Sequence, residues 1–179
     1  LSRYRFLAAP DTFLARVFAD PRFRASLPAA TVDSLTSPGF AAAVRERFPN
    51  AGQLRTKLGV LDDNLQAFLS NYAQIAMGSD IAPLPGIGAH LELEMMVKAG
   101  LTPIQALTAA TFLSAKAIRI FAKTGTIEPG KDADILVLDA DPLADIRNTR
   151  SISMVIRTGR IYRPADLLVR VDQAGREPG

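Results

Sequence analysis

The chain has 179 residues, 48% of them apolar and 22% charged, with a net charge of +3, one histidine and no cysteine. That composition describes a soluble globular chain with a real core, and its length suits one domain while falling short of the ~200–250 residues of a complete (β/α)8 barrel. The missing cysteines exclude disulfides, thiolate zinc sites and cysteine nucleophiles. The scattered arginines and few aromatics argue against a nucleic-acid partner. No apolar run reaches the ~20 residues of a membrane span, and no signal-peptide pattern is present, so no membrane role is expected. The compartment stays open between cytoplasmic and exported. The chain begins at Leu1 rather than Met, which reads as processing or as part of something longer.

Residues 1–50 are rich in Ala, Arg and Phe and are punctuated by Pro10, Pro21, Pro28, Pro38 and Pro49, which predicts a series of short helices. Asp11 is an expected N-cap for "TFLARVFAD", and Ser37 caps a helix with Pro38 in its first turn. From Leu54 to Tyr72 the apolar residues recur at three- and four-residue spacing, an amphipathic helix with an expected break at Gly59. It leads into "QIAMGSD", residues 74–80, read as a short buried strand. Helix followed by strand is the unit of a parallel α/β sheet.

A Pro/Gly loop follows, then the helix "GAHLELEMMVKAG", with Leu91, Met95, Met96 and Ala99 inward and Gly100 closing it. The helix "LTPIQALTAATFLSAKAIRI" has Thr102 as N-cap and Pro103 at its first position, with Ile104, Leu107, Ala110, Leu113 and Ile118 on the apolar side. At Thr124 the period shifts from 3.6 to about 2, which predicts a small β-unit over 124–163. It contains a turn at Pro129-Gly130, the strand Ile135 to Leu138, and a hairpin turning at Thr158-Gly159; residues 164–179 read as a tail.

Asp80, directly after the 74–80 run, and His90, ten residues on, are the candidate site residues. Pro85, Gly86 and Gly88 shape the loop between them. On the residues alone, an Asp after a strand fits a turn former better than a catalytic group. His90 is balanced between a substrate contact and a locally bonded helix-start residue. Glu92 and Glu94, two apart on a helix, do not face together. Asp139, Asp141 and Asp145 lack the Gly and terminal Glu of an EF-hand and read as solvated turn acids.

Four segments in order change the balance: "IAMGSD", "GAHLELEMMVKAGLTPIQALTAAT", "GTIEPGKDADILVLDADPLADI" and "VIRTGRIY". Together they resemble the C-terminal part of a metal-dependent amidohydrolase, in the imidazolonepropionase- and prolidase-like branch. The resemblance implies an α/β fold: the last strand (74–80) and surrounding helices of a TIM-type barrel over 1–123, with 1–50 a helical insertion. Residues 124–163 would be part of the small flanking β-domain.

It also implies that Asp80 is a ligand of a divalent metal, zinc by preference, and accepts a proton from the metal-bound water that attacks the substrate carbonyl. The substrate would be a small amide or dipeptide-like molecule, with Pro85, Gly86, Gly88 and His90 in the loop that meets it. The family's other ligands, an HxH pair among them, have no counterpart here, because the chain holds a single histidine. The expectation is therefore a chain that is inactive and metal-free alone. It would lack its N-terminal barrel half, or be half of a split enzyme, or be a non-catalytic binding module. Uncovered barrel edges would make it oligomeric or aggregation-prone.

Overall fold

The computed structural model describes residues 1–70, 74–81, 84 and 86–167. The first third is a set of short helices: α1 (Ser2–Ala8), α2 (Pro10–Phe18), α3 (Pro21–Ala25), α4 (Ala29–Thr36) and α5 (Pro38–Arg47). Three of them start on proline, whose fixed φ and absent N–H suit a first helical position. Ser37 caps α5 as expected, its Oγ accepting from Phe40 N at 3.2 Å. Asp11 does not cap α2. Pro10 takes the first position with Ala9 before it, and Asp11 falls inside the first turn, where it pairs with Arg45 at 2.8 Å.

A 3-10 turn (Ala51–Gln53) leads into α6 (Leu54–Ser70), which runs unbroken through Gly59. One helical glycine costs only about 1 kcal/mol, and the rest of a 17-residue helix absorbs it. Tyr72, expected at its end, lies outside the described residues.

Residues 74–81 form no β-ladder with any described residue, so the expected strand is not present as one. A strand exists only against a partner strand. Here Met77 N instead donates to the helix behind it, to Ala109 O at 3.2 Å and Ser114 Oγ at 3.1 Å.

Helix α7 (Ile87–Lys98) buries Leu91, Leu93 and Met96, with Met95 only half-buried. Helix α8 (Pro103–Thr108) opens on a full capping box, Thr102 with Gln105. It passes through a π-turn (Ala109–Leu113) into α9 (Ser114–Ala117). The buried positions are Ala106, Ala109 and Ala115, while Ile104, before the wide turn, and Ile118, beyond the phase shift it makes, are exposed, contrary to the 3.6-residue reading.

The β-unit is a three-stranded antiparallel sheet, β1 (Ile135–Leu138), β2 (Ile152–Arg157) and β3 (Arg160–Tyr162), in that order. The β2–β3 turn falls at Thr158-Gly159, both at positive φ (49° and 77°), as a tight twisted hairpin requires. Residues 124–128 carry no strand. Two apolar clusters organise the molecule. One joins α1–α4 to Ile81, Leu84, Ile87 and Leu91. The other gathers Leu93, Met96, Leu101, Ala106, Ala109 and Ile146.

Candidate active-site segment around Asp80

The segment that carries Asp80 is pinned from several sides. Behind it, the π-turn and Ser114 hold Met77; Ser114 Oγ in turn donates to Ala109 O at 2.7 Å. On its flank, Ser2 Oγ lies 3.5 Å from Ser79 O. In front, α7 packs against it at Gly88, where a Cβ would sit 3.0 Å from Ser79 Oγ and 3.4 Å from Ser79 Cβ. Gly88 is therefore a point of close approach between the bend and the helix. Gly86, at φ 76°, makes the left-handed turn that starts α7. Pro85 lies outside the described residues.

Asp80 itself sits at φ 47°, a left-handed conformation that Asp adopts more readily than most side chains. Its carboxylate projects outward, 71% exposed, and ion-pairs with the Arg3 guanidinium on α1. The backbone thus holds the carboxylate out at the bend, away from the packed interface that Gly88 makes with the same segment.

His90 points elsewhere. Its Nδ1 is 3.0 Å from Thr149 Oγ1, and its ring lies 6.0 Å from that of Phe23. Thr149 Oγ1 donates to Ile146 O at 2.9 Å, so its hydrogen is taken and His90 Nδ1–H is the donor between them. Burial, then the charges of Arg150 and Arg22, push the imidazole below its ordinary value. No hydrogen bond joins His90 to Asp80 among the described residues. Of the sequence candidates, Gly88 lies against the segment that carries Asp80, Gly86 opens α7, and His90 faces the 3-10 turn Ile146–Arg150.

Several residues here carried no sequence signal. Arg150 bridges Asp20, at 2.7 Å, and Glu94, through Nε at 2.7 Å and through Nη2, with its guanidinium 4.3 Å from the centre of the Phe23 ring. Its partners lie 56 and 130 residues away in sequence, so no local pattern marks it. Hydrogen bonds from Arg22, with Arg150 adding to them, hold the Asp20 carboxyl far below the usual range. Glu92, buried, accepts from Ser2 N at 2.7 Å and Ser2 Oγ at 2.5 Å, and so caps α1. The turn acids behave as expected: Asp145 caps the 3-10 turn and is held down to about 2 by Arg147.

Beside the bend runs an apolar groove of ≈ 990 Å³ between the α8–α9 helices and the sheet, lined by Met77, Leu107, Phe112 and Leu136 among others. Among the described residues, no three His, Cys, Asp or Glu side chains converge to hold a metal ion. Asp80 supplies one carboxylate, already matched to Arg3. The donor set present does not fit a metal centre on its own.

The stretch that contains Asp80, the two helices behind it and the small β-unit is similar to known proteins. The amidohydrolase family profile matches residues 55–162, more than half of the chain, and the chain belongs to that family. The imidazolonepropionase of Thermoplasma volcanium is 34% identical over 93 residues, half of this chain and 23% of the relative. The ochratoxinase of Aspergillus niger is 31% identical over 110 residues, 57% of this chain and 22% of the relative. Among solved structures, a Xaa-Pro dipeptidase with methionine bound in its active site superposes with a TM-score of 0.57 at 25% identity, covering 85% of this chain and 37% of that one. The chain spans less than a quarter of the length of these two curated relatives. No helix among the described residues is long and apolar enough to cross a membrane.

Proposed function

We propose that these residues form the C-terminal part of a hydrolase that cleaves amide or other C–N bonds in small non-peptide or dipeptide-like molecules. The observation that carries the reading is Asp80: a carboxylate presented outward at a left-handed bend, inside the stretch that matches the family. In the complete protein Asp80 contributes one ligand to a divalent cation, zinc by preference. The other donors come from residues outside these 179. Asp80's own chemistry is to hold positive charge beside it and to accept a proton from the attacking water. In this reading residues 1–123 are barrel, with 1–50 an insertion and 74–80 the last strand once it gains neighbours. Residues 124–163 belong to the flanking β-domain, and Gly86, Gly88 and His90 to the loop and helix start beside the substrate.

The open groove along α8–α9 and a 74–81 segment that pairs with no strand among the described residues favour a partner that covers them, namely the N-terminal barrel half, on the same chain or a separate one. Until it is present, the isolated chain is expected to be inactive and to associate with itself. The test is Asp80→Asn in the complete protein. Loss of activity by about 100-fold or more, with loss of bound metal, is expected; unchanged activity and metal content overturn the assignment.

A further inference from the structure

On the side of α1 away from Asp80 lies a second concavity. Arg3 and Arg5 are two residues apart, so their side chains leave the helix about 200° apart. Arg3 meets Asp80, whereas Arg5 lines a pocket of ≈ 190 Å³ between α1, α2, α6 and α7. Its floor is apolar, formed by Phe13, Leu58, Leu91 and Met95. Its rim is basic: Arg5, Arg16, Lys98 and Arg150 line it against one acid, Glu94, among the described residues.

The charges around the pocket are unevenly satisfied. Glu94 is held by Arg150, and Arg5 Nη2 by Asp62 at 3.1 and 2.8 Å. Arg16 and Lys98 are exposed and form no ion pair among the described residues, and Arg5 Nε is buried with no hydrogen-bond partner among them. An apolar floor beside two unpaired cations among the described residues, Arg16 and Lys98, is complementary to one ligand chemistry. We propose that this pocket binds a small carboxylate with a short apolar body. The carboxylate would lie among Arg5, Arg16 and Lys98 and the chain over Met95 and Leu58. A pocket of ≈ 190 Å³ limits the ligand to a compact acid.

The test is a chemical-shift titration of the protein with hexanoate, with hexanol and inorganic phosphate as controls. Saturable one-to-one binding with a Kd near ~1 mM is expected for a ligand of this size. The R16A/K98A double variant, which alters only exposed side chains, should weaken it about five-fold or more. Ala9→Leu, which fills the pocket wall, should abolish it. Absence of saturation, equal affinity for hexanol or phosphate, or unchanged affinity in R16A/K98A would overturn the proposal.

Discussion

Helices α1–α4 and α7 close around Phe6, Leu14, Val17, Phe18, Phe23 and Val32, each no more than 6% exposed. No residue of the three strands reaches that state; Leu136 is 45% and Ile161 57% exposed. Both regions are built from apolar residues in regular patterns. The helices meet partners on every side of their core, and the sheet has a groove where a partner layer would pack. A three-stranded sheet needs a covered face for independent stability. The helical region thus has a closed core among the described residues, whereas the β-unit leaves a groove beside it.

The contrast can be broken most directly at Leu14. Leu14→Ala should cost about 3 kcal/mol, read as a lowered urea midpoint, because the site is closed and cannot collapse. A loss below ~1 kcal/mol would show the helical core to be as loose as the sheet. Next in size is the ionic bridge between the two cores. Asp20→Asn leaves Arg22 without its carboxylate and Arg150 with Glu94 alone, and should cost about 2 kcal/mol at neutral pH, since the Asp20 side chain is only 12% exposed. The folded carboxyl lies below its unfolded value of 3.8. Its contribution is thus fully present above that pH and fades as pH falls through and below it. Melts of wild type and variant should converge in acid, and a gap constant down to pH ~2 would dismiss Asp20 as the source.

Thr102→Ala, which removes the α8 capping box, should cost about 1 kcal/mol, measured the same way. The smallest effect belongs to the sheet. Leu136→Ala should cost under ~1 kcal/mol in this chain and several-fold more once the groove is filled in the complete protein. An equal cost in both would remove the case that this face awaits a partner.

What could be read from residues alone follows from the range of the interactions involved. Ser37, Thr102, Gly100 and Thr158-Gly159 act within four residues of themselves, and the elements they bound stand where the sequence places them. The 74–80 run reads as a strand because its composition suits one, but pairing is a property of the neighbour, and none lies among the described residues. The π-turn escapes detection because "AATFL" is ordinary helical sequence; its wide turn is set by Ser114 and Met77, 37 residues apart. Around Asp80, Gly86 and Gly88 local turn chemistry makes the chain reversal legible, while the reading of Asp80 as a ligand rests on the family resemblance. Arg3 and the Arg150 bridge were not, since a long-range ion pair leaves no spacing to recognise.

The π-turn has one more consequence. A helix advances about 100° per residue, so the widened turn at 109–113 works as a phase offset between everything before it and everything after. Deleting one residue there would let the helix rewind to the regular pitch, making the same turn with one residue fewer, so that Ser114 and the lead into the β-unit keep nearly the same phase. The length of this helix thus acts as a dial setting. It registers the bend that presents Asp80 against the sheet: the π-turn absorbs one extra residue, whereas a single-residue deletion in the regular turns of α8 would put the two out of step by about 100°.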